Sequence, residues 1–132
     1  MAVRSDFIEA CVRKVLVGED VPRAEIGVVL GNRALVRELN RRFLEHDHAT
    51  DVLSFPLSND GDVIEGEVYV DLDTADERCT EFGASFEMEA ARYVIHGVLH
   101  LIGYSDETGE QRAAMRELED AYLGDTPPGT AG

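Results

Sequence analysis

Apolar residues recur every three to four positions over residues 5–17. Phe7, Ile8, Cys11, Val12, Val15 and Leu16 form one stripe, which predicts a helix with Ser5 as its N-cap. Residues 18–22 read as a turn, and residues 24–30 as a β-rich run interrupted by Gly27. A second helix, capped by Asn32 and running to residue 44, turns Leu35, Val36, Leu39 and Phe43 inward. Its polar face carries Arg33, Arg37 and Arg41, with Arg42 beside them. A polar loop at residues 45–50 leads to a strand over residues 51–57, ended by Pro56. Residues 59–62 form a turn signal, and residues 65–72 a further strand. A helix over residues 73–82 stops at Gly83. Ser85 caps the strongest helical pattern, which reaches residue 102 with Gly103 at its end. A last amphipathic helix spans residues 108–123 and is closed by Gly124. The predicted order is α-β-α-β-β-α-α-α. Few strands and many helices imply an α+β fold, a small mixed β-sheet packed with several helices.

The chain has 132 residues, enough for one domain with a core of its own. Residues 1–124 are expected to form that domain. Residues 125–132, with Pro127-Pro128 and two glycines, are expected to be a flexible tail. No run approaches the ~18 apolar residues of a membrane span, and the first residues lack the apolar segment of a secretory signal. A cytoplasmic protein with no membrane partner is therefore expected. Cys11 and Cys79 are the only cysteines, and two reduced thiols are expected in that compartment. Their spacing leaves open whether they meet.

Charge changes the picture. The formal net charge is −15, which argues against nonspecific nucleic-acid binding through bulk charge. The distribution is uneven: residues 1–44 hold eight Arg and Lys against six Asp and Glu, and the remainder four against twenty-one. Lys14 is the only lysine. An acid excess with few lysines suits a protein adapted to high salt, where the Debye length shrinks to about 3 Å.

The candidate chemistry lies in the run from His96 to Asp106. His96 and His100 are four apart and project from one helix face, roughly 6 Å of rise from each other. Asp106 follows beyond Gly103, where a glycine-terminated helix turns the chain back on itself. Two imidazoles and a carboxylate can hold one divalent cation at the end of the long helix and leave a fourth position open for water. That is a catalytic rather than a structural zinc arrangement; the same donors also suit iron. Taken alone, His96 and His100 also fit a pair of core histidines bonded to backbone. A metzincin-type protease places Glu directly after the first histidine, whereas Gly97 stands there in this chain, which counts against that class.

His96-Gly97-Val98-Leu99-His100-Leu101-Ile102-Gly103-Tyr104 matches His-Gly-x-Leu-His-Leu-x-Gly-Tyr without a mismatch. A second block comprises Leu39-Asn40 and then Asp47-x-x-Thr50-Asp51-Val52-Leu53-Ser54-Phe55-Pro56. In both blocks the chain resembles the YbeY family of bacterial rRNA-maturation endoribonucleases. Gly66-Glu67-Val68-Tyr69-Val70 is similar to the family's Gly-Asp-Ile strand, with Glu67 in place of Asp. Met115 and Glu119 fall where the family carries Met and Glu. The resemblance covers about residues 20–123 and implies an α+β fold, one zinc ion per chain, and single-strand-specific RNA cleavage in 16S rRNA 3′-end processing and ribosome quality control. It carries zinc ligation over to His96 and His100. The third position, usually histidine, is Asp106. The family's arginine after the aromatic of the Leu-Asn block aligns with Leu44, so a cation for the phosphate is missing there.

Arg37, Arg41 and Arg42 are candidates to replace it, with a solvated helix face as the alternative. Arg37, Arg41, His46, His48 and Ser54 are candidate RNA contacts. His46 and His48 read equally as plain loop residues. Ser54 either points to the site or bonds to backbone. Asp71 and Asp73 are expected to cap the next helix. The leading function is zinc-dependent hydrolysis of single-stranded RNA. Its expected partners are rRNA and, beyond it, ribosomal proteins or a ribosome-associated GTPase. The alternatives are a non-catalytic, metal-stabilised ribosome-assembly factor and a zinc hydrolase acting on a small molecule.

Overall fold

Helix-forming and strand-forming patterns fall where the periodicity puts them. The computed structural model describes residues 3–44, 52–60, 63–81 and 85–124. In chain order the elements are α1 (Ser5–Gly18), β1 (Arg23–Gly31), α2 (Arg33–Leu44), β2 (Val52–Asp60), β3 (Val63–Asp71), α3 (Leu72–Glu81), α4 (Phe86–Leu101) and α5 (Gly109–Gly124). The fold is α+β, as expected. Its sheet has the order β1-β3-β2, with β1 parallel and β2 antiparallel to the central β3. The tail at residues 125–132 lies outside the described residues.

α4 is the hub. Its Val94, Ile95, Val98 and Leu99 are fully buried and meet Val68 and Val70 of β3, Cys11 and Val15 of α1, and Met115 of α5 in one cluster. Ser85 caps α4, its Oγ accepting from the Met88 N–H at 3.0 Å. At the other end Gly103 has φ +115°. Tyr104 N–H donates to the Leu99 carbonyl and Gly103 N–H to the His100 carbonyl, a Schellman turn. A Cβ at Gly103 would be strained there, and that turn sends the chain back toward the helix it has left.

Two boundaries differ from the sequence reading. Ser5 is the first helical residue of α1 rather than its cap; Arg4 holds the cap position without a side-chain bond. Arg4 instead places its N–H and guanidinium on Glu87, tying the start of α1 to α4. Pro56 does not end β2, which continues to Asp60. β2 is an edge strand, where a residue without an N–H is tolerated, and the register shifts between Pro56 and Ser58.

Several expected caps are present. Asn32 Oδ1 accepts from Leu35 N–H at 2.8 Å at the start of α2. Asp71 caps α3, accepting from Thr74 N–H at 3.1 Å and Thr74 Oγ1 at 2.7 Å. Asp73 accepts from Arg33 N–H and so closes the start of α2 instead. Thr108 and Gln111 form a reciprocal capping box on α5. Cys11 and Cys79 are buried free thiols. No helix among the described residues is long and apolar enough to cross a membrane.

Candidate metal centre

The four-residue spacing on α4 brings the two imidazoles together, with His96 Nε2 and His100 Nε2 2.9 Å apart. The Schellman turn then returns Asp106 to both: Oδ2 lies 3.3 Å from His96 Nε2, and Oδ1 lies 3.5 Å from His100 Nε2. These three residues are a group able to hold a metal ion.

Their partners decide where the protons sit. His100 Nδ1 lies 3.0 Å from the Tyr104 carbonyl, which can only accept, so Nδ1 carries the hydrogen. His96 Nδ1 lies 2.7 Å from Glu119 Oε2, again an acceptor. Both Nε2 atoms therefore present lone pairs to each other and to a carboxylate. Three converging acceptors with no donor between them repel, and a cation among them removes the repulsion. Two imidazole nitrogens and a carboxylate are a donor set that zinc takes. The donor set fits such an ion.

Glu119 is buried on α5 and also accepts from Arg92 Nη1 at 3.0 Å. Arg92 reaches Asp120 at 2.7 Å as well. Burial works against the Arg92 charge, but the hydrogen bonds of Asp120 and Glu119 outweigh it and hold its pKa above the ordinary arginine value. A second brace comes from α1. Tyr104 and Tyr122 both donate their hydroxyls to Glu19, fastening the turn that presents the Tyr104 carbonyl to His100. The hydrogen bond to Glu19 raises the Tyr104 pKa. Burial, and then the same carboxylate, raise that of Tyr122.

Gly97 lies where α4 packs closely on β2 and β3. A Cβ there would fall 2.5 Å from Val68 Cγ1 and 3.1 Å from Ser54 Oγ. The residue that metzincin-type proteases use as a base is thus replaced by a packing glycine facing the sheet. Ser54 Oγ donates to the Gly97 carbonyl at 2.8 Å. Ser54 also lines a cavity of about 300 Å³ with His100 and Leu101, and of its two expectations the bond to backbone is the one observed.

Arg37, Arg41 and Arg42 lie on α2, where Arg41 and Arg42 reach Glu38. None of the three lines either cavity at the metal centre. His46, His48 and Asp51 lie outside the described residues, and nothing is described of the Leu44 side chain. A larger cavity of about 810 Å³ runs between α4 and α5, with His96, Asp106, Arg92, Arg112, Arg116 and Glu119 among its lining. The roles of Glu119 and Arg92 were not drawn from the sequence. Besides the resemblance at Met115 and Glu119, one signal is present: Glu119 stands between Met115 and Leu123 at four-residue spacing, a lone carboxylate on an otherwise apolar stripe.

Fold and donors together describe a small α+β protein in which three residues at the end of the central helix could hold a cation. The family model for Endoribonuclease YbeY matches residues 2–126. A Salinibacter ruber protein named Endoribonuclease YbeY is 48% identical over 120 residues, covering 85% of this chain and 76% of its own length. One from Chloroherpeton thalassium, with the same name, is 42% identical over 125 residues, 92% and 88% of the respective lengths. The solution structure of a Thermotoga maritima protein is 29% identical and superposes with a TM-score of 0.61 over 98% of this chain and 95% of that one. The chain belongs to the Endoribonuclease YbeY family.

Proposed function

We propose that this chain, as an endoribonuclease of that family, cuts single-stranded RNA in a zinc-dependent reaction. We assign the ion to His96, His100 and Asp106, one zinc per chain, in a zinc-hydrolase-like domain of residues 1–124. The observation that carries this is the convergence of two Nδ1-protonated imidazoles and a carboxylate on one point. The biological reading is 16S rRNA 3′-end maturation and ribosome quality control in the cytoplasm. Pre-ribosomal RNA is the substrate there, and ribosomal proteins or a ribosome-associated GTPase are neighbours.

A bound zinc would polarise a phosphodiester oxygen or lower the pKa of a water at the open position. The chain's own residues prepare that position. Glu119 and the Tyr104 carbonyl fix the two tautomers, so neither ring must reorient when an ion or substrate arrives. Asp106 adds a negative charge where a third histidine would add none, which makes the centre less electrophilic. Water attack on phosphorus breaks one P–O ester bond, and the leaving oxygen takes up a proton. No side chain at position 97 takes part, because Gly97 has none.

The test is cleavage of a single-stranded oligoribonucleotide by zinc-loaded protein, at low and at molar salt, beside folded His100→Ala. Turnover by the wild type and none by the variant is expected. Equal background in both, with zinc measured on the wild type, would overturn the catalytic reading and favour a metal-stabilised assembly factor. A zinc-dependent esterase signal without RNA cleavage would favour a small-molecule hydrolase.

A further inference from the structure

The missing cation at Leu44 has a counterpart elsewhere. Among the described residues, Arg4, Arg13, Arg33, Arg41, Arg42 and Arg92 are each ion-paired with carboxylates. Among the described residues Arg23, Arg112 and Arg116 have no carboxylate partner. In a chain of net charge −15, acids are abundant enough to pair every arginine. Arg112 and Arg116 lie on α5 four positions apart, on one helix face, and both line the 810 Å³ cavity that includes His96 and Asp106, which Arg23 on β1 does not.

Arg112 sits against the metal-site loop. Its Nη1 donates to the Asp106 carbonyl at 3.4 Å and the Glu107 carbonyl at 3.1 Å. A guanidinium has five N–H donors, so Nε and Nη2 keep three that can face the cavity. Arg116 makes no side-chain bond among the described residues and stands one turn further along. The acids lining the same cavity are mostly committed: Asp106 to the histidines, Glu119 to His96 and Arg92, Asp120 to Arg92. Glu89 is the exception, and it lies seven residues before His96 on α4, about 10 Å away along the axis. The lining thus holds four arginines against four carboxylates, and of its cations Arg112 and Arg116 are the two with no carboxylate partner among the described residues.

We infer that Arg112 and Arg116 bind successive phosphates of the RNA strand beside the cleavage position, supplying from α5 the charge that α2 lacks at Leu44. Guanidinium groups match phosphate oxygens in geometry as well as charge. The strand runs along the α4–α5 cavity and enters the metal centre past Asp106. This inference rests on the endoribonuclease reading.

The test compares wild type, Arg116→Gln and Arg112→Gln/Arg116→Gln for kcat/KM on a single-stranded oligoribonucleotide across KCl concentrations. Zinc content is measured on each. Arg23→Gln, which removes an exposed arginine at the start of β1, is the control. The double variant should lose about tenfold to about a hundredfold in kcat/KM, mostly through KM. Its log–log salt dependence should be shallower by about 1.4, or about 0.7 per phosphate contact. Arg116→Gln alone should lose about half of that slope, and it cannot act through the loop that Arg112 braces. Arg23→Gln should match the wild type, and all proteins should keep their zinc. If wild type cleaves while Arg116→Gln and the double variant keep its KM and slope, the arginines are not phosphate ligands and the endoribonuclease reading stands. If wild type does not cleave, both readings fall together.

Discussion

Glu119 would act on a metal ion held by His96 through one hydrogen bond. Its carboxylate fixes the His96 proton on Nδ1 and makes Nε2 a better donor to a cation. Glu119→Gln preserves the shape but removes the charge. Zinc affinity should fall about tenfold to about a hundredfold, read by competition with a chromophoric chelator. An unchanged affinity would show that His96 needs no partner to hold its tautomer. Because Glu119 also pairs with Arg92, the variant leaves a half-buried guanidinium with Asp120 as its remaining carboxylate. A denaturant titration beside the zinc titration separates the two losses. At this scale the sequence was informative where ligands sit close in the chain: His96, His100 and Asp106 span eleven residues and one turn signal. Glu119 lies twenty-three residues from His96, and its partner depends on how α5 docks against α4. Periodicity sets which face of α5 is buried but not which residue it meets.

The elements bring these side chains to one place, and the position of α4 on the sheet is the sensitive coordinate. Gly97 allows that approach, since Val68 Cγ1 already occupies the space of its missing Cβ. Gly97→Ala must push α4 away from β2 and β3, breaking the Ser54 to Gly97 hydrogen bond and shifting both histidines. An overpacked core contact of this kind costs about 1–3 kcal/mol. The expected result is a lower urea midpoint together with weaker zinc binding, although residue 97 touches no ligand. Wild-type stability in the variant would mean that Val68 finds another rotamer at no cost. The sequence showed Gly97 only as the absence of a proteolytic base, because a close approach between a helix and a sheet is a tertiary fact. Element types and order were legible, since each helix carries a clear stripe and most carry a cap residue. Pro56 misled the strand end because its tolerance depends on β2 being an edge strand, which no local pattern reveals.

At the scale of the whole molecule, charge sets two opposing responses to salt. A net charge of −15 on 132 residues repels itself in the folded state. Raising salt from 0.1 M to 1 M shortens the Debye length from about 10 Å to about 3 Å and screens that repulsion. The cations proposed to bind RNA would work through the same field with the opposite sign, since phosphate contacts weaken as salt displaces the advantage of counterion release. The protein should therefore unfold at a higher urea concentration in 1 M KCl than in 0.1 M KCl, while kcat/KM on RNA falls over the same range. The control is a variant with several exposed acids outside the cavity lining changed to their amides, such as Glu9, Asp20 and Glu25. It should gain stability at low salt and show a smaller further gain at high salt, with its zinc unchanged. Equal urea midpoints at both salt concentrations would mean that the repulsion is already neutralised by ion pairs such as those of Arg33 and Arg92. The acid excess would then bear on solubility and on which polyanions approach, rather than on the stability of the fold.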